Sequence, residues 1–109
     1  MQSKESAEIH SSSAPVRWEH GWKTDRVIAT RYLNSSKGYN LGFRFPRNPY
    51  HGNNAEVFEF YQKHGGSCWH AGREQLVRFE GVHDTESADR KLQEILPTLS
   101  ELLENLDRL

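Results

Sequence analysis

Six histidines and one cysteine are the most chemically versatile residues of this 109-residue chain. His64, Cys68, His70 and His83 fall close together, and Asp84 follows. Imidazole and thiolate together suit zinc. Their spacing matches neither a zinc finger nor a ribbon, although Cys68 and His70 would share one face of a strand. The four residues are the candidate metal ligands, and no metal or other cofactor is assigned. A cysteine hydrolase needs its thiol beside a histidine that a third group orients. His70 or His83 could serve Cys68, but Gly66-Ser67-Cys68-Trp69-His70 offers no helix start to lower the thiol pKa. Paired carboxylates would have to come from Glu56, Glu59, Glu74 or Glu80. Glu56–Gln62 reads as a strand, which sends Glu56 and Glu59 to opposite faces. The chain has no Walker loop, dinucleotide fingerprint, nucleophile elbow or HExxH motif. No catalytic residue is assigned, and the balance favours a binding protein over an enzyme.

A different pattern runs through residues 17–51, where cations and rings interleave: Arg17-Trp18, Trp22-Lys23, Arg31-Tyr32, Phe43-Arg44-Phe45 and Arg47 through Tyr50. Seven cations stand there against two acids, a net charge of +5. Single strands are held by such surfaces, because bases stack on rings while Lys and Arg follow the phosphates. The candidate contacts are Trp18, Trp22, Lys37, Arg44, Arg47 and Tyr50. Alternating aromatics in a small β-rich domain are also its core, and Leu41, Phe43, Phe58 and Phe79 are assigned there. Residues 84–109 carry three cations against seven acids, a net −4. The split gives one basic and one acidic face unless folding interleaves them. Opposite charges also suit a protein-binding module, such as an inhibitor, immunity or adaptor protein, steered to a charged partner.

These side chains need elements to hold them. Met1–Ala14 is serine-rich without apolar periodicity and reads as a flexible, disordered arm. A single domain is expected over residues 15–109. Strands are expected at Val16–Gly21, Asp25–Leu33, Tyr39–Phe45 and Glu56–Gln62. Cys68–His70 and Gln75–Gly81 form a fifth strand or two short ones. In the second strand Ile28, Thr30 and Tyr32 share one face, opposite Val27, Ala29 and Arg31. Pro46–Asn54 is a loop. Leu92, Leu96, Leu99, Leu103 and Leu106 then follow the 4-3 spacing of a helical stripe, with Asp84 or Thr85 as N-cap. Pro97 either kinks that helix or separates two. The fold class is α+β: an antiparallel sheet of four to five strands with a C-terminal amphipathic helix on one face. The stripe packs on the sheet, and its width also permits a homodimer seam along Leu92–Leu109.

Strands followed by one C-terminal helix resemble the small transcriptional coactivators that bind single-stranded DNA. The likeness is one of architecture and carries no residue over. Composition narrows the class further. Hydrophobic residues make up 35% of the chain and aromatic residues 11%, too many rings for a wholly disordered protein. No apolar run reaches the roughly 20 residues of a membrane span, and the N-terminus shows no signal peptide. A lone cysteine permits no intrachain disulfide, so a cytoplasmic location is expected.

Overall fold

The computed structural model describes residues 14–34, 38–47 and 54–108. Residues 1–13 of the N-terminal arm, most of the 46–54 loop, Lys37, Tyr50 and Leu109 lie outside the described residues. Six antiparallel strands form one sheet: β1 (Val16–Trp18), β2 (Gly21–Lys23), β3 (Ile28–Asn34), β4 (Gly38–Arg44), β5 (Gly66–Ala71) and β6 (Glu74–Phe79). The spatial order is β1-β2-β3-β4-β6-β5. Helix α1 (Asn54–Lys63) connects β4 to β5, and α2 (Thr85–Asp107) ends the chain. The fold is α+β.

Register partners share a face of the sheet. Arg17, Trp22, Ala29, Phe43 and Gln75 are partners in succession, as are Arg31, Leu41, Val77 and Cys68. Both helices cover this face. Ala29, Leu41, Phe43, Val77 and Phe79 form its buried floor. From α1, Tyr61 stacks on Phe43 at 4.9 Å between ring centroids, and its hydroxyl donates to Gln75 Oε1 at 2.8 Å. From α2, Leu92, Ile95, Leu96, Leu99 and Leu103 are completely buried, so the stripe is spent on the sheet. Truncating any of these five side chains to alanine would cost about 2–5 kcal/mol.

The strand expected over Glu56–Gln62 is instead α1. Val57, Phe58, Phe60 and Tyr61 favour strands by type. Their burial follows helical spacing, however: Val57 and Tyr61, four apart, are fully buried while Glu56, Glu59 and Gln62 are exposed. Glu56 in the first turn and Lys63 in the last suit the helix dipole. Gly65, at φ 84°, ends the helix in the left-handed conformation. Of the other expected strands, one divides and the fifth takes its two-strand form. Val16–Gly21 is two short strands joined at Glu19-His20, and the fifth strand is a hairpin. Gly72, at φ 64°, supplies the two-residue hairpin turn between Ala71 and Glu74.

Asp84 is the N-cap of α2. Its carboxylate accepts from Ser87 N at 2.8 Å, and Ser87 Oγ accepts from Asp84 N at 3.1 Å. Pro97 lies inside one continuous helix. The acids of α2 partly cancel the basic stretch. Asp89 pairs with Arg17 and Arg31, and Asp107 pairs with Arg26. Folding thus interleaves the two charge blocks instead of leaving two opposed faces. Among the described residues, no helix is long and apolar enough to cross a membrane.

Candidate functional site

The opposite face of the sheet carries no helix among the described residues. Its central row crosses all six strands: Trp18, Gly21, Thr30, Gly42, Leu76 and Trp69 are register partners in succession. A tryptophan stands at each end, and small residues occupy the middle. The next row holds Val16, Lys23, Ile28 and Arg44. On the other side Tyr32 pairs with Asn40, and Arg78 with Ser67. With strands about 4.8 Å apart, the row is about 24 Å long.

The two glycines let rings lie on the sheet. Trp18 Nε1 reaches past β2 to donate to the Ala29 carbonyl at 3.0 Å. A Cβ on Gly21 would come within 2.0 Å of that same oxygen. Tyr32 leans across β4, where a Cβ on Gly42 would meet its ring at 2.6 Å. Its hydroxyl ends 2.7 Å from both Glu74 oxygens on β6. Burial, aided by the Glu74 carboxylate, raises the Tyr32 pKa. Covering a glycine with a cross-strand ring stabilises a sheet. Tyr32 nevertheless stays open to a ligand at 39% exposed, as does Trp69 at 38%, while Trp18 is half-buried.

Trp18 and Tyr32 bound a depression of about 390 Å³, with Thr30, Arg44 and Glu74 also lining it. His20 stands at its rim, edge-on to Trp18 with ring centroids 5.1 Å apart. Arg44 is exposed. Among the described residues, no carboxylate forms an ion pair with it.

Of the six contact residues read from the sequence, Trp18 and Arg44 meet here. Trp22 is on the covered face, because a two-residue turn pairs Trp18 with Gly21 and Arg17 with Trp22. Trp22 donates to Asp89 Oδ1 at 2.9 Å, and the Arg17 guanidinium lies over its ring at 4.9 Å. Arg47 follows β4 and pairs with Asp25. Lys37 and Tyr50 lie outside the described residues. The open face adds Lys23 and Tyr32, which belong to the basic–aromatic pairs but not to the six candidate contacts, and Trp69, Glu74 and Arg78, which lie outside the basic stretch. Period-two alternation was the signal that could have found them, since Tyr32 is on the β3 face opposite Ala29.

The histidine–cysteine group disperses. Cys68 and His70 share the covered face as expected, but Phe58 separates their chemistry. Cys68 Sγ is 4.0 Å from the Phe58 carbonyl oxygen, and the His70 ring packs on the Phe58 ring at 5.1 Å. His64 packs on Phe60, and His83 precedes α2. Among the described residues, no three His, Cys, Asp or Glu side chains converge on a metal position. Burial raises the Cys68 thiol pKa, the opposite of nucleophile activation. Glu56 and Glu59 do share a helix face, where they line a groove with Phe60, Glu101 and Leu102.

Compared with known proteins, the chain matches no family model, no curated protein and no solved structure.

Proposed function

We propose that this protein binds single-stranded nucleic acid across the open face of its sheet. The carrying observation is the central row, with Trp18 and Trp69 at its ends, Tyr32 leaning over its middle, and Lys23, Arg44 and Arg78 beside it. Exposed rings provide stacking surfaces for unpaired bases, and the cations lie within reach of a backbone crossing the strands. A platform about 24 Å long spans on the order of four nucleotides, at the low end of known single-strand sites. Stacked pairs hide the base faces this platform uses, so duplex binding should be much weaker.

Titrating the chain with oligo(dT) of about ten nucleotides, following tryptophan fluorescence, tests this reading. Quenching should saturate. Three cations on a single strand predict a slope of about −2 for log K against log salt. Trp69→Ala, at an exposed edge-strand position, should cost about 1–3 kcal/mol of affinity. Absence of saturable quenching at low salt would overturn the reading and leave the face to a protein partner.

A further inference from the structure

We propose that β5 is a dimerisation edge, along which a second copy of this chain adds its own β5 antiparallel. The proposal stands apart from the nucleic-acid reading.

The sheet ends in two strands, β1 and β5, and the two ends differ. β1 is three residues long, follows Pro15 and carries Arg17. Shortness, proline and charge are what keep an edge from pairing with another chain. β5 has none of these. Gly66–Ala71 is six residues long, with no proline and no Lys, Arg, Asp or Glu. Its register with β6 runs unbroken from Gly66–Phe79 to Ala71–Glu74, so no bulge bends the strand away. Among the described residues, no strand lies beyond it.

The hydrogen-bonding phase shows which groups face outward. Glu80 N donates to the Gly65 carbonyl at 3.1 Å. Bonded and non-bonded pairs alternate along an antiparallel ladder. Ser67, Trp69 and Ala71 therefore bond to β6, while Gly66, Cys68 and His70 turn their N–H and C=O groups away from it. An antiparallel two-fold centred on Cys68 matches these outward positions to themselves, Cys68 to the partner subunit's Cys68 and Gly66 to the partner subunit's His70. On the open face, exposed Ser67 then meets the partner subunit's Trp69, and the two tryptophans lie diagonally within ring reach.

The chemistry favours a second copy over a charged peptide. β5 offers no counter-charge to such a peptide, and two copies meet without like-charge repulsion. The two-fold also closes the assembly, because it uses both long edges and leaves only the two short β1 edges. It joins two six-stranded sheets with their open faces on the same side.

Sedimentation of the full chain without nucleic acid, from roughly 1 to 100 μM, tests the proposal. The mass should rise toward twice that of one chain. Over the same range, hydrogen exchange at the Cys68 amide should slow about tenfold. Cys68→Pro removes an outward donor and no bond to β6, so it should sediment as a monomer. A wild-type chain that stays monomeric overturns the proposal, as does a dimer whose Cys68 amide exchanges as fast as in the monomer. A folded Cys68→Pro variant that still dimerises does the same. If that variant fails to fold, exchange at the wild-type Cys68 amide decides.

Discussion

Trp22 Nε1 donates to Asp89 Oδ1 at 2.9 Å, and this bond joins β2 to the first turns of α2. Arg17 approaches the other oxygen at 3.2 Å, and Arg31 approaches Oδ1 at 3.5 Å. One largely buried carboxylate therefore gathers three donors from β1, β2 and β3. A ring that looks like a binding residue in the sequence is a strut in the fold.

Trp22→Phe keeps most of the ring and removes the donor. A hydrogen bond to a charged group contributes about 1.5–3 kcal/mol, and urea denaturation should show a loss in that range. Asp89→Ala should cost more, about 3–5 kcal/mol, because it leaves the largely buried Arg31 guanidinium and the Trp22 N–H without this partner at a helix–sheet junction. Oligonucleotide affinity of the folded Trp22→Phe protein should match wild type, since Trp22 and the open face lie on opposite sides of the sheet. A Trp22→Phe variant as stable as wild type would show that the bond adds nothing net.

Arg44 and Arg47, three residues apart, should separate in a salt titration. Arg44 stands in the row beside the central one and lines the depression, while Arg47 pairs with Asp25 beyond the end of β4. Arg44→Ala removes about one phosphate contact, which should make the salt slope shallower by about 0.7 for a single strand. Arg47→Ala should change it less. Equal effects of the two substitutions would move the backbone path off the sheet face and toward the loop.

Inside the core, Tyr61 is fully buried and its hydroxyl donates to Gln75 Oε1, also buried, at 2.8 Å. Burial pushes the phenol pKa well above its ordinary value, so the hydroxyl stays a donor throughout the working pH range. Tyr61→Phe preserves the ring packing against Phe43 and Phe79 and should cost about 0.5–1.5 kcal/mol for the hydrogen bond it removes. The denaturant midpoint should fall with an unchanged m-value.

What was legible in the sequence followed from periodicity with a single structural solution. Leu92 through Leu106 had to be a helix, because their 4-3 spacing fits no strand, and alternation in residues 39–45 fixed which side chains of β4 form the core. Glu56–Gln62 misled because its residue types favour strands while its spacing is helical. Aromatics are large enough that either conformation buries them, and contact with Phe43 and Phe79 decides between them. The site was half legible. Which rings share a face depends on turn length, and a two-residue turn sends Trp18 and Trp22 to opposite sides. Assembly of the row from Trp18 to Trp69 depends on the order β4-β6-β5, which no local pattern encodes.

The capping box at Asp84 carries a pH signature. Hydrogen bonds from the Ser87 hydroxyl, at 2.6 Å, and the Ser87 backbone N–H, at 2.8 Å, hold the Asp84 carboxyl below its ordinary pKa. A carboxyl with a lower pKa folded than unfolded stabilises the fold fully above the unfolded value and loses that contribution as pH falls through the folded one. The contribution is therefore full from neutral pH down to about 5, begins to fall near the ordinary carboxyl value of about 4, and is lost as the pH drops through the lower folded value. Asp84→Ala should lower the melting temperature at pH 7 by a few degrees. As acid protonates the wild-type carboxyl, the gap between the two proteins should shrink toward zero. A melting-temperature difference that stays constant from pH 7 to about pH 2 would show that the carboxylate charge contributes nothing to the cap.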